Sequence, residues 1–109
     1  MKLPNGDHAI IPIEKLIGYC LNPEHPSGKH KARVFASALG ITAQNVEDLR
    51  HLLTRAAIQG EVVQQDNTAF GQLLKVDWAV PGYDDIILRS LWEITSNQPY
   101  PRLISAFIK

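Results

Sequence analysis

Hydrophobic residues recur at helical spacing in the first half of the chain. Over residues 13–21 they follow the i, i+3, i+4 pattern of an amphipathic helix that begins after a proline. A second helix is predicted over 29–39. A third helix, capped by Thr42 or Asn45, ends at Gly60. The pattern therefore predicts about three helices before residue 61.

After Gly60 the hydrophobic period changes to two, which is typical of β-strands. Strands are predicted over 61–64, 73–80, 86–94 and 103–108, with turns at 65–68, 81–84 and 96–99. Trp78 and Trp92 fall on one face of this sheet. The opposite face carries Lys75, Asp77, Arg89 and Glu93. We predict a single α+β domain over 1–109, whose N-terminal helices cover the tryptophan face of a roughly four-stranded antiparallel sheet.

Composition agrees with a packed domain. Of the 109 residues, 45% are hydrophobic and 20% are charged, so a buried core is expected. No apolar run approaches the ~20 residues of a membrane span, and the N-terminus does not resemble a signal peptide. The lone Cys20 falls on the apolar stripe of the first helix, which favours a core position over a reactive thiol. We expect a cytoplasmic protein without membrane contact.

Positive charge is concentrated at the start of the second helix, although the net charge is zero. Residues 29–33 read Lys-His-Lys-Ala-Arg. Cations in a first helical turn oppose the helix dipole, whereas an anion bound after Gly28 would be attracted by the dipole and by the cations together. Lys31 lies on the flank of the apolar stripe. The cluster therefore indicates either a phosphate site or a solvated basic face with a snorkelling lysine.

His25 and Arg89 are further candidates with open alternatives. His25 lies in a loop bounded by Pro23 and Pro26, which could aim its imidazole as a general base or simply let it bond a backbone carbonyl. Arg89 could bind phosphate or pair with Asp77 or Glu93 on the same sheet face.

Other chemistry finds little support in the sequence. The histidines show no metal-ligand spacing, and the chain contains neither a phosphate-cradling glycine loop nor a dinucleotide fingerprint. We expect no metal site and no cofactor.

Residues 19–35, which read YCLNPEHPSGKHKARVF, carry a family resemblance. The segment resembles a family of small bacterial proteins of unknown function with the pattern Y-x-L-N-P-x-H-P-x-G-x-x-K-A-x-x-F. Later matches are V-D at Val76–Asp77, R-x-x-W at Arg89–Trp92 and P-R-L at Pro101–Leu103. Related modules occur alone beside another small gene and at the tips of polymorphic toxins. The order of elements resembles the barnase–EndoU–colicin–RelE class of ribonuclease folds.

The resemblance implies which polar residues form a site. By matching position these are His25, Lys31, Arg89 and Arg102, together with the motif residues Asn22, Gly28 and Asp77. The segment Tyr83–Asp85 departs from the glycine-rich turn that is usual in the family, and this alters the charge near that hairpin.

The leading hypothesis is a metal-independent endoribonuclease toxin, paired with a small cognate antitoxin or another neighbour-encoded protein. We assign His25 to acid/base work, Lys31 and Arg89 to transition-state charge, and Lys29, His30, Arg33 and Arg102 to binding RNA. The alternative is a non-catalytic binding module, or a degenerate family member, whose basic loop and helix dock an acidic protein partner.

Overall fold

The fold is described here from a computed structural model that covers residues 1–83 and 85–109. After a short 3₁₀ turn (Gly6–His8), helix α1 (Ile13–Lys15) continues as a π-helical segment (Leu16–Cys20). Helix α2 spans Lys29–Leu39. A 3₁₀ turn (Ala43–Asn45) leads into helix α3, which spans Val46–Gln59. Within the described part of the chain, three helices thus precede the strands, as the sequence predicts.

Four strands follow within the same described residues. They are β1 (Glu61–Thr68), β2 (Gly71–Ala79), β3 (Ile87–Thr95) and β4 (Gln98–Ile108). Each pairs antiparallel with the next in the order β1-β2-β3-β4. Helix α3 packs on β2 and β3, while α2 and the first helix contact β4. The predicted α+β fold is therefore confirmed.

The core lies between the helices and the tryptophan face of the sheet. Trp92 is fully buried and donates its indole N–H to Ser90 Oγ at 2.8 Å, and Trp78 is buried as well. The largest fully buried side chains from the helices are Leu16, Phe35, Leu49 and Leu53. The predicted face assignment is correct, and Lys75, Asp77, Arg89 and Glu93 occupy the half-buried opposite face, called the open face below.

The helix ends follow the predicted signals. Both Thr42 and Asn45 take part in one cap: Thr42 Oγ1 accepts the N–H of Gln44, and Asn45 Oδ1 accepts the N–H of Thr42 at 2.7 Å. Gly40 ends α2 in the left-handed region at φ 67°. These local signals were sufficient because each acts over three or four residues.

Two strands are longer than predicted. β1 extends to Thr68 because residues 65–68 pair with β2, and their polar side chains are exposed on both faces, which removes the alternating pattern. β4 begins at Gln98 despite its two prolines. Pro101 is tolerated because β4 is the last strand of the sheet, where a missing N–H breaks no interior ladder.

The chain before the first helix also contacts the sheet. The apolar run Ala9–Ile11 pairs with the outer edge of β4 at one parallel bridge, in which Ile10 bonds Pro101 O and Leu103 N. It forms this bridge rather than a full strand. The predicted turn over 81–84 ends at Asp84, which lies outside the described residues.

No helix in the part of the chain that the structure describes has the length and apolar character needed to cross a membrane.

Candidate functional site

The loop between the first helix and α2 is held by its own side chains. Asn22 donates to Gly18 O at 3.2 Å and accepts the N–H of Glu24 at 3.0 Å, so its side chain ends one helical segment and begins the loop. Asn22 therefore has a structural role in shaping this motif.

His25 bonds to the backbone at the start of α2. Its Nδ1 accepts the N–H groups of Ser27 and Gly28, both at 3.0 Å, and its carbonyl accepts the N–H of Lys29. A neutral imidazole whose Nδ1 accepts carries its proton on Nε2. The free nitrogen of this ring is then a donor. The ring thus has a structural role in the loop, but its partners are two backbone amides and not the predicted carbonyl.

Gly28 is required by a close approach to Tyr19. An ideal Cβ at residue 28 would lie 2.8 Å from the Tyr19 carbonyl oxygen and 3.3 Å from its ring. Tyr19 also contacts His25, since their rings meet edge to face with centroids 4.7 Å apart. The glycine thus lets Tyr19 and the His25 loop pack together.

Lys31 places its ammonium between two aromatic rings. Nζ lies 4.6 Å from the ring centroid of Phe107 and 5.8 Å from that of Tyr19, and it donates to Tyr19 Oη at 3.5 Å. No carboxylate among the described residues forms an ion pair with it. The side chain is half-buried, so its charge is held in place by aromatic faces and remains uncompensated.

Arg89 has a different environment on the open face. Its Nε and Nη2 donate to the two carboxylate oxygens of Asp77 at 2.7 and 2.8 Å, and Lys109 Nζ lies 3.4 Å from the same carboxylate. The hydrogen bond from Arg89 holds the pKa of Asp77 below its usual value, and the bond to Asp77 raises the pKa of Arg89. This is the cross-strand pair that the sequence left as one alternative.

Phe107 connects these two environments. In the sheet register Asp77 lies opposite Arg89, and Arg89 lies opposite Phe107, so the three side chains share one face. The ammonium of Lys31 lies over the Phe107 ring and contacts Tyr19, whose ring in turn contacts that of His25. Side-chain contacts and strand register thus connect His25, Lys31, Arg89 and Asp77 in sequence through Tyr19 and Phe107, a set called the row below.

The remaining predicted residues lie around this row. The side chains of His30 and Arg33 are exposed on α2, and that of Lys29 is half-buried. Arg102 lies further along β4, and together with Lys15 and Tyr19 it lines a cleft of about 390 Å³ beside the first helix. Arg33 and Arg102 thus line two different pockets, and neither Arg89 nor Asp77 lines either of them.

Metal and thiol chemistry find no further support in the geometry. Among residues 1–83 and 85–109, no three His, Cys, Asp or Glu side chains are grouped so that they could hold a metal ion. Cys20 is fully buried, as expected from the apolar stripe, and burial raises the pKa of its thiol.

Comparison with protein families assigns the chain to a known group. The model of the family described as Domain of unknown function (DUF6883) matches residues 2–109. The chain belongs to the DUF6883 family. Neither the curated proteins nor the solved structures contain a match to it. The description of this family names no activity.

Three residues that belong to the row or lie beside it were not predicted as site residues from the sequence. Tyr19 is part of the quoted motif, but its contacts with His25 and Lys31 depend on how the loop folds back. Phe107 and Lys109 reach the site only through the register of β4, which no local signal encodes. The position of Tyr19 before an Asn-Pro loop was the one signal available.

Proposed function

We propose that this DUF6883 protein is a metal-independent endoribonuclease whose substrate phosphate binds at Lys31. The observation that carries the proposal is the uncompensated Lys31 ammonium, held between Tyr19 and Phe107 beside the His25 loop. A fixed cation without a carboxylate partner can stabilise the charge of a phosphorane, because it needs no reorganisation during the reaction.

The basic side of the molecule supports a polyanionic substrate. Lys15, Lys29, Lys31, Arg33 and Arg102 form no ion pair with any described residue, which leaves their charges available to phosphates. Exposed or half-buried aromatic rings beside cations are also typical of surfaces that bind single-stranded nucleic acid.

In the proposed reaction the ribose 2′-oxygen attacks the adjacent phosphorus and the bond to the 5′-oxygen breaks. The products are a 2′,3′-cyclic phosphate and a free 5′-hydroxyl. Lys31 stabilises the developing charge. His25 donates a hydrogen bond from Nε2 to a phosphate oxygen, because its Nδ1 accepts two backbone N–H groups. Water takes the 2′-proton, and water also supplies the proton for the leaving 5′-oxygen. The need for a 2′-hydroxyl makes RNA the substrate.

Arg89 has a secondary place in this proposal. Since Asp77 binds its guanidinium through two hydrogen bonds, Arg89 acts on a phosphate only if the substrate competes with that carboxylate. We therefore assign the transition-state charge mainly to Lys31, with Arg89 and Asp77 shaping the open face next to Phe107.

The test is cleavage of a defined RNA in excess EDTA with monovalent salt, with the product ends read by mass spectrometry. We expect cyclic phosphate ends from the wild-type protein, and a rate at least about tenfold lower for Lys31→Met. Arg50→Ala is the matched control, because Arg50 is an exposed cation on α3 that pairs with Glu47. Cleavage that requires added magnesium, or that Lys31→Met leaves unchanged, contradicts the proposal.

A second candidate is a non-catalytic module that docks an acidic protein, such as the product of a neighbouring gene. A groove of about 360 Å³ supports it, since Leu21, Pro23, Ala32 and Ala36 line it with Arg33 beside them. This groove could equally receive an inhibitory partner of a toxin. Free expression of the wild-type protein in bacteria, together with no RNA cleavage, would favour the docking function.

A further inference from the structure

A second cleft next to the Lys31 site has the chemistry of a nucleotide subsite. It lies between the first helix and β4 and has a volume of about 390 Å³, within the range of about 300–1,000 Å³ that is usual for small-molecule sites. The residues that line it are Pro12, Glu14, Lys15, Gly18, Tyr19 and Arg102.

The charges in this cleft favour a phosphate at one end. Lys15 and Arg102 provide two cations, and neither forms an ion pair with a residue that the structure describes. Arg102 can bind a phosphate through two parallel hydrogen bonds. The single carboxylate, Glu14, repels a phosphate but accepts hydrogen bonds from ribose hydroxyls or from base N–H groups.

Tyr19 supplies an aromatic wall that the cleft shares with the Lys31 site. Its ring contacts His25, and its hydroxyl accepts from Lys31, while the same side chain lines the cleft. A base stacked on Tyr19 is expected to contribute about 1–3 kcal/mol. A nucleotide bound in the cleft would therefore be separated from the Lys31 ammonium only by the Tyr19 side chain.

Gly18 leaves the cleft open. A Cβ built at this position meets no atom within 4 Å, so the fold itself does not require a glycine there. A larger side chain at residue 18 projects into free space. This position therefore offers a way to fill the cleft without disturbing the core.

We propose that this cleft binds the nucleotide next to the scissile phosphate, with its own phosphate on Lys15 and Arg102 and its base on Tyr19. The inference rests on the proposed ribonuclease function and adds a substrate-binding subsite to it. Lys15 and Gly18, which no sequence motif singled out, become determinants of substrate binding.

The direct test is a titration of the protein with adenosine 5′-monophosphate, followed by the amide NMR signals of Gly18 and Tyr19. We expect saturable shifts of both signals, and weaker binding of adenosine and of inorganic phosphate, since each lacks one half of the ligand. Shifts confined to other parts of the protein, or equal binding of adenosine and the monophosphate, overturn the inference.

Variants separate the cleft from general charge effects. Gly18→Leu fills the cleft and should weaken binding of the monophosphate at least about tenfold while leaving the melting temperature near the wild-type value. Lys15→Ala combined with Arg102→Ala should weaken it by at least the same factor. Arg50→Ala removes an equivalent charge outside the cleft and should change nothing. A Gly18→Leu protein that binds the monophosphate as tightly as wild type contradicts the assignment.

RNA cleavage then distinguishes this inference from the function on which it rests. Gly18→Leu should raise KM for RNA with little change in kcat, whereas Lys31→Met should lower kcat. If Gly18→Leu changes neither constant, the subsite is wrong and the ribonuclease proposal stands. If the wild-type protein binds the monophosphate in the cleft but cleaves no RNA, the ribonuclease proposal fails and the cleft remains a nucleotide site.

Discussion

Two regions of the molecule hold their cations in opposite ways. One is the basic loop side, which consists of the His25 loop and the start of α2, and the other is the open face of the sheet. On the loop side Lys31 lies against Tyr19 and Phe107 and has no carboxylate partner among the described residues. On the open face Arg89 and Lys109 share the carboxylate of Asp77. Both regions join at Phe107, yet the loop side has charge available for a ligand, while Arg89 and Lys109 on the open face are already paired with Asp77.

The difference shows that a cation in a sequence motif is not by itself a binding group. Arg89 and Lys31 belong to the same motif set, but the hydrogen bonds of Arg89 stabilise the sheet, whereas the aromatic contacts of Lys31 leave its charge intact. An interaction between a cation and an aromatic ring holds the charge in position. Its loss costs about 0.5–2 kcal/mol. Removing either cation should therefore have different consequences for stability and for binding.

The largest expected effect compares Lys31 with Phe35, a fully buried neighbour on α2. Phe35→Ala should lower the free energy of unfolding by about 3–5 kcal/mol, because it opens a cavity in the core. Lys31→Met keeps the apolar stem and removes a cation from the start of α2, so its stability should stay within about 1 kcal/mol of wild type. Urea unfolding curves measure the free energy of unfolding of both variants.

RNA cleavage completes that comparison. Lys31→Met should cleave RNA at least about tenfold more slowly despite its retained stability. A Lys31→Met protein that melts far below wild type would show that the lysine mainly supports the fold, and the contrast between the two regions would disappear.

The packing of the loop can be broken through Gly28. Gly28→Ala places a Cβ 2.8 Å from the Tyr19 carbonyl oxygen, and such overpacking should cost about 1–3 kcal/mol. It should also displace Tyr19 and with it the Lys31 ammonium. Gly18→Ala is the matched control, since a Cβ there meets nothing within 4 Å and should be neutral or slightly stabilising. Equal melting temperatures for the two alanine variants would contradict this account.

The open face is tested by its dependence on pH. Because the folded-state pKa of Asp77 lies below the reference value of 3.8, its ion pair contributes stability above that pH and loses it as the pH falls further. Asp77→Asn should lose about 1–3 kcal/mol near neutral pH and unfold with a weaker dependence on acid than wild type. Urea midpoints measured from about pH 6 to about pH 2 show the difference.

A control is needed because Glu61 also titrates in this range. Hydrogen bonds from Lys2 and from the N-terminal ammonium lower the pKa of Glu61, but that group is exposed. Glu61→Gln should therefore change the acid dependence less than Asp77→Asn does. The opposite order would mean that the Asp77–Arg89 pair contributes little, and Arg89 would then be free to bind a ligand.

The smallest expected effect separates two roles of His25. His25→Ala removes the acceptor for Ser27 N–H and Gly28 N–H and should cost about 0.5–1.5 kcal/mol, as for other lost intramolecular hydrogen bonds. His25→Asn retains a side-chain oxygen and should recover part of that stability. If His25→Asn restores stability but not RNA cleavage, the imidazole acts in chemistry as well as in the loop.

Local sequence signals were enough to predict most of the fold. The shift from helical spacing to alternation after Gly60 placed three helices before the strands, and the alternation of Trp78 and Trp92 with Asp77 and Arg89 placed them on opposite faces. These patterns work because a helix or strand that buries one face repeats its hydrophobic residues at a fixed period. The ends of β1 and β4 were missed where that period is absent.

The residues of the candidate site could be predicted from the sequence. The contacts between them were visible only in the tertiary structure. The motif indicated His25, Lys31 and Arg89, and the structure placed them in one row. Whether a cation in that row is compensated was decided only by the register of β3 with its neighbours and by the return of the loop onto Tyr19. Such contacts join residues far apart in the chain, and because several registers and loop paths satisfy the same hydrophobic pattern, only packing of the whole domain selects among them.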